Sequence, residues 1–556
     1  MNKFHLLLVF TAFIFQSLDA QFAPPRNWHM MDYQNDGQWG ISADKSYAEL
    51  LDNRVAHPVI VAVLDSGIDI EHEDLASNIW VNADEIPGNG IDDDKNGYID
   101  DINGWSFLGG ETEDVHYETL EVTRLYAAMR DKYENADISQ LDKDELKEYS
   151  KFVKYKEEVE EQRAKHLKKI NQYEMTKQVY NITFNSVKSY LDTSYVTNEV
   201  IDTMSTYTQD LEMAKILLQE MLASYSEGID LDSMLYYINS DLDAVIGESR
   251  IKTDYQYNPD FESRSIIGDE YENQEERYYG TNRVEGPDAM HGTHVAGLIA
   301  AIRNNDLGIN GIATNVKIMV LRVVPDGDEH DKDVANAIRY AVDNGASIIN
   351  MSFGKGKSWN KQVVDDAVAH AMKNDVLMVH AAGNSSLDID VESNFPNDSY
   401  EKPRGFLFWK KKKAKSWIEV GALNFLPGDY MVAPFSNYGS KEVDIFAPGM
   451  AIYSTIPDDQ YTELPGTSFS SPITAGVAAV LRSYFPSLKA EQVKDILLSS
   501  ATKINRDVII PGSDERKPFK DLCVSGGVLN MFDAIKLASK TKGKKKIKKS
   551  NSKSKA

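Results

Sequence analysis

Apolar and polar positions alternate along this chain in two different textures. Val59–Leu64 (Val-Ile-Val-Ala-Val-Leu) is an unbroken apolar run rich in β-branched residues, and Val316–Val324, Ala346–Met351, Val376–Ala382 and Trp417–Leu423 look alike. Continuous runs of this length predict strands buried on both faces, as in a parallel sheet. Between them, Asp333–Asn344 and Lys361–Lys373 carry helical patterning. Strand alternating with helix predicts an α/β domain, a doubly wound and mainly parallel sheet with helices on both faces.

From 107 to 285 the texture changes. Asp142–Met175 is dense in Lys and Glu. Val200, Met204, Tyr207, Leu211, Ala214, Leu217 and Met221 recur at helical spacing, and Ser233–Ala244 offers a third helix. The block has no strand-like run, so it reads as an α-helical insertion whose apolar stripes pack together. Arg250–Glu285 is polar and Tyr-rich and predicts loop. Lys540–Ala556 is almost all Lys, Ser, Gly and Asn, a composition that cannot bury a core and predicts a disordered basic tail.

At 556 residues the chain is long enough for two folded units. The formal net charge of −26 excludes nucleic acid as a partner, because a phosphate-tracking face needs clustered Lys and Arg. Residues 1–20 combine a short charged start, an apolar run of signal length and Ala20 before Gln21. They read as a cleaved export signal rather than an anchor, the run being shorter than the roughly 20 residues of a span. No other stretch is apolar enough to cross a bilayer. Cys523 is the one cysteine, so no intramolecular disulfide forms, and its apolar neighbours predict a buried structural thiol.

Three segments carry candidate chemistry. Asp65 ends the first apolar run in Leu-Asp-Ser-Gly, where parallel α/β sheets place their sites; taken alone, it reads as an ordinary strand-to-turn signal. His291 opens His-Gly-Thr-His-Val-Ala-Gly at the start of an apolar helix, and His294 reads as a packed structural histidine. Ser468 lies in Gly-Thr-Ser-Phe-Ser-Ser-Pro before another apolar helix, where free N–H groups suit a developing oxyanion and where a serine also serves as a simple cap.

Asp, His and Ser in that order, each in its glycine-marked context, closely resemble the three signatures of the subtilisin-like serine peptidases, the subtilase family. The resemblance covers 39–106 and 286–538. It implies a subtilisin-like fold and a secreted serine endopeptidase with Asp65, His291 and Ser468 as catalytic triad. Asn384, in Ala-Ala-Gly-Asn, resembles the family's oxyanion-hole asparagine. Ser352-Phe353-Gly354 resembles the segment that pairs with substrate backbone, and Asn394 would lie at the base of the pocket for the residue before the scissile bond. Val443–Gly449 matches a further, structural family segment. The implied organisation is an export signal (1–20), catalytic domain in two parts (21–106 and 286–538), a helical insertion (107–285) and a basic tail (539–556). Residues 21–58 leave no room for the family's usual folding-assisting propeptide, and the minimal family domain lacks the insertion, which is expected either to restrict access or recognise substrate or a partner, or to be a peripheral decoration.

Asp92, Asp94, Asn96 and Asp100 place side-chain oxygens in a loop with Gly97 at the sixth position, resembling the start of a calcium loop. Asn103 stands where an EF-hand needs Glu, so the expectation is a shorter structural calcium site, with a solvated acidic turn as the alternative. No cofactor is needed for the chemistry. The expected partners are protein or peptide substrates. Two rival readings use the same residues: a non-catalytic binding protein on the subtilase fold, and an esterase, which would carry Gly-x-Ser-x-Gly instead of Gly-Thr-Ser-Phe-Ser.

Overall fold

The computed structural model describes residues 23–223, 228–404 and 411–545. The expected export signal and residues 546–556 of the expected tail lie outside these. The chain forms two compact units, one running up to His116 and resuming at Ser263, the other Tyr117–Glu262.

The first unit is built on a nine-stranded sheet. Its strands in chain order are β1 (Val59–Asp65), β2 (Gly104–Ser106), β3 (Val316–Arg322), β4 (Ile348–Met351), β5 (Leu377–Ala381), β6 (Trp417–Leu423), β7 (Ile445–Pro448), β8 (Thr502–Lys503) and β9 (Gly527–Val528). Across the sheet the order is β8-β9-β7-β6-β5-β4-β1-β3-β2, parallel throughout except between β8 and β9. The five apolar runs are five of the central strands, and the reason shows in their burial. Val61 and Val63 enter one hydrophobic cluster, Ala62 and Leu64 another. Successive side chains point to opposite faces of a strand, so a strand covered on both faces must be apolar at every position. On one face lie α1 (Met290–Ala300) and, later in the chain, the Thr467–Tyr484 helix; on the other lie α2 (Asp331–Asp343) and α3 (Lys361–Lys373). The Thr467–Tyr484 helix is α4.

β1 sits between β3 and β4, so the chain passes from one side of β1 to the other between them. Asp65 ends β1 opposite Arg322 at this switch, where α/β sheets open a crevice at their carboxyl ends.

The second unit is helical and narrower than the 107–285 read from sequence. Phe107 is fully buried with Tyr279 in the core of the first unit, and Ser106 and Thr281 exchange backbone hydrogen bonds of 2.8 and 2.9 Å. The stretch expected to be polar loop is held by charge. Arg264 pairs with Asp269 and Asp333, Lys332 with Asp269 and Glu276, and Tyr279 donates to Asp333. Buried ion pairs of this kind persist only where each partner is satisfied.

Lys143–Leu191 is one helix of 49 residues, opened by a capping box between Asp142 and Glu145. The single helix expected through 200–221 is two, Asn198–Thr203 and Gln209–Leu222. The Thr208 side chain caps the second, and Tyr207 is 79% exposed although it fits the helical spacing. A two-residue ladder joins Tyr195–Val196 to Ile229–Asp230, which no apolar run announced.

The last helix, Met531–Lys540, extends into the expected tail, and Lys544 and Lys545 donate backbone hydrogen bonds to Gln492 and Ser487. Among the described residues no helix is long and apolar enough to cross a membrane. Cys523 is buried, and that burial pushes its thiol pKa up.

Candidate active site

Two glycines bring Asp65 and His291 together. A Cβ on Gly292 would stand 2.0 Å from the Gly67 carbonyl oxygen and 3.2 Å from the Asp65 Cβ. Gly67 has φ +133°, and a Cβ there would overlap the Glu285 carbonyl. With both side chains absent, the start of α1 closes on the end of β1. Asp65 Oδ1 then accepts from His291 Nδ1 at 2.6 Å and from the Ser66 amide at 2.8 Å. Burial works against protonating His291, but the charge and hydrogen bond of Asp65, with a smaller contribution from Asp288, outweigh it. Its pKa therefore lies above the ordinary histidine value. The ring keeps 38% of its side chain open to solvent, so it is accessible to a reactant.

Ser468 occupies the first turn of α4, after Gly466. Phe469 next to it packs its ring 5.5 Å from His291 and 4.3 Å from His294. Among the described residues Ser468 Oγ makes no hydrogen bond, so the structure joins Asp65 to His291 directly and brings Ser468 alongside without the hydroxyl–imidazole bond. Such bonds are often loose until substrate arrives.

The backbone carbonyl of Ser468 shows how the site is tied. Pro472 lies four residues on inside α4 and has no N–H to donate to it. The Ser352 hydroxyl supplies the missing bond at 2.7 Å, and is itself held by Asn350 Nδ2, whose Oδ1 accepts from Ser471. The expected substrate edge is thus fastened to the expected nucleophile through Ser352, leaving Phe353 half-buried and Gly354 exposed. A cavity lined by His291, Ser352, Asp288, Val324 and Pro325 runs beside them.

Asn384 is exposed, and its orientation is set by Thr467, whose amide and hydroxyl both donate to Asn384 Oδ1 at 2.9 and 2.8 Å. The amide nitrogen is left to point elsewhere, and it lies near Gly466 at the mouth of α4. Asn437 braces this loop by donating to Ala382 O and accepting from the Ser385 and Leu387 amides. Asn394 lies between the two segments, donating to Ala381 O and Ala382 O.

The profile of the subtilase family matches residues 56–528. The chain belongs to the subtilase family. Its members are serine-type endopeptidases. The chain is 37% identical to subtilisin DY of Bacillus licheniformis over 38% of its own length and 71% of that protein. It is 39% identical to a thermophilic serine proteinase of Bacillus sp. (strain AK1) over 35% of its length and 42% of the relative. It is 33% identical to a cell wall-associated protease of Bacillus subtilis (strain 168) over 43% of its length, but only 24% of that protein is spanned. Among solved structures, the prenylagaramide maturation protease PagA matches 46% of this chain and 83% of its own at 30% identity, with a TM-score of 0.36.

Several residues of this subtilase site escaped sequence reading. Arg322 is buried and donates to Ser66 O at 2.8 Å and to Val115 O, fixing the backbone that follows Asp65; burial lowers its pKa to about 10. Thr467 acts through partners more than 80 residues away, and Asn350 ties its neighbour Ser352 to Ser471, 121 residues on. The one local signal for Asn350 was a polar side chain inside an apolar run. His294, by contrast, is the packed structural histidine read from sequence: it is buried, bonds Thr462 O at 3.2 Å and has its pKa lowered to about 3 by burial, so it stays neutral.

The acidic loop is arranged differently from the expected ligand set. Asp92 and Asp94 converge, and the third carboxylate with them is Glu85, all ligand atoms lying within 4.8 Å of one another. Asp100 is turned away, accepting from the Asn89 and Gly90 amides. Asn96 is in the knot, its side-chain amide donating to Asp94 and Asp101. Glu85 was missed because it stands seven residues before the motif.

Proposed function

We propose that this chain is an exported serine endopeptidase that cleaves peptide bonds through an acyl-enzyme on Ser468. The observation that carries the reading is the 2.6 Å Asp65–His291 bond at the switch point of the sheet, with Ser468 on the adjoining helix start. Asp65 orients His291 so that Nδ1–H faces the carboxylate and Nε2 is free to take the Ser468 proton. Ser468 Oγ attacks the carbonyl, and the oxyanion is held by Asn384 Nδ2 and the Ser468 amide. The protonated His291 passes its proton to the leaving amine, then acts as base for the water that releases the acyl group. Gly354 offers open backbone beside the nucleophile for a substrate strand. The signal-like composition of residues 1–20 supports export.

A fluorophosphonate probe together with matched peptide and ester substrates tests this reading. Labelling with peptide turnover supports it; ester turnover without peptide turnover favours the esterase, and no labelling favours a binding protein. Asn384→Ala is expected to lower kcat by about 10²–10³ with KM little changed, because the amide serves the transition state. A comparable rise in KM instead would place Asn384 in ground-state binding.

Glu85, Asp92 and Asp94 fit a hard divalent cation. Three carboxylates converge and, among the described residues, no Lys or Arg pairs with any of them. These three would hold a calcium ion that steadies the loop before β2 and takes no part in the chemistry. Removing calcium with EGTA is expected to lower Tm by about 5–10 °C, and Glu85→Gln to blunt that response. A thermal scan unaffected by chelator would leave the loop a solvated turn.

A further inference from the structure

The side-chain atom nearest behind Gly354 is a hydrogen-bond acceptor, which narrows the substrate class; the inference rests on the peptidase reading above. Asn394 Nδ2 donates to Ala381 O and Ala382 O, each at 3.1 Å, and to Glu419 Oε1 at 3.3 Å. With the nitrogen engaged by three acceptors, the amide orientation is set and Oδ1 faces the other way. It faces Gly354, where a Cβ would stand 2.6 Å from it. The base of the pocket is a carbonyl oxygen.

Behind Asn394 is a buried carboxylate, paired among the described residues with no Lys or Arg. Glu419, on β6, is 5% exposed and accepts from His380 Nδ1 at 2.9 and 3.0 Å and from Trp417 Nε1 at 2.9 Å. His380 Nε2 is buried without a hydrogen-bond partner, so the ring is held through Nδ1 alone. The cations nearby are committed elsewhere: Lys355 to Asp331, Lys413 to Asp398 and Glu442, Lys494 to Asp444. Asn394 and Glu419 line a cavity together with Asp390, Asp398 and Glu442, a lining that holds several carboxylates and no Lys or Arg.

We propose that Asn394 and Glu419 make this peptidase select Lys or Arg immediately before the scissile bond. Asn394 Oδ1 accepts a hydrogen bond from the side-chain cation, and Glu419 supplies the balancing charge from behind. Glu419 is a positioning residue as well, since it holds the Asn394 amide in the orientation that exposes oxygen. A substrate carboxylate would meet an acceptor and a like charge, and is excluded.

The test uses the full chain and fluorogenic peptides that differ only at that position, carrying Arg, Lys, Leu or Glu. The expected kcat/KM for Arg and Lys exceeds that for Leu by about tenfold or more, with Glu not cleaved. Glu419→Gln is expected to lower the Arg-to-Leu ratio about tenfold, and Asn394→Leu to lower it further or invert it. The ratio is unaffected by a misfolded fraction, because both substrates report on the same active sites, counted by fluorophosphonate titration. Equal cleavage of Arg and Leu peptides by the parent, or an unchanged ratio in both variants, overturns the proposal and leaves the peptidase reading intact. A chain that neither labels nor cleaves any peptide overturns both.

Discussion

Replacing Ser468 by alanine is expected to lower peptide turnover by about 10⁶-fold, the scale on which subtilisin-type triads lose their nucleophile. Fluorophosphonate labelling should vanish with it. Because Ser468 Oγ makes no hydrogen bond among the described residues, and alanine suits a helix, Tm should not fall. The Ser468 carbonyl keeps its bond from Ser352, so the local backbone has no reason to shift. Turnover within tenfold of the parent, in a protein of unchanged Tm, would place the nucleophile elsewhere.

Asp65→Asn should cost about 10⁴ in kcat. Asp65 Oδ2 is buried without a hydrogen-bond partner. An asparagine either buries its NH₂ there, unsatisfied, or flips and turns that NH₂ toward His291. The flip forces the ring proton onto the nitrogen that should accept from Ser468. The substitution should also move the acid limb of the kcat/KM profile. The base must be neutral, so parent activity is lost as pH falls through a His291 pKa raised by Asp65. Without that charge and hydrogen bond only the opposing burial remains, and the limb moves to lower pH. A limb that stays in place, or moves to higher pH, would show that Asp65 does not govern His291.

Local patterns foretold the parts of this molecule that local forces make. Trp417–Leu423 is a strand buried at all seven positions, and that burial leaves a run in the sequence broken only by the Glu419 carboxylate. Lys361–Lys373 is a helix for the matching reason at a longer period. The helix starts at His291 and Ser468 were legible from glycine and serine before apolar stretches. The pattern failed where the outcome depended on partners. Tyr207 kept helical spacing yet is exposed in the gap between two helices. Tyr279 and Phe107 looked like the ends of an insertion and are core residues of the first unit.

The sequence by itself determined the strands, the identity of the three residues proposed for catalysis and the acidic loop, because each is written in neighbouring residues or in short motifs. Tertiary structure alone decided which groups meet. Asp65 and His291 lie 226 residues apart in the chain and are joined by one hydrogen bond. Ser352 replaces a bond that Pro472 removed, Thr467 turns Asn384, and Glu85 joins Asp92 where Asp100 had been expected. The physical reason is that burial has a period and leaves a trace along the chain, whereas a hydrogen bond needs one donor at one distance, and that donor can come from any part of the fold.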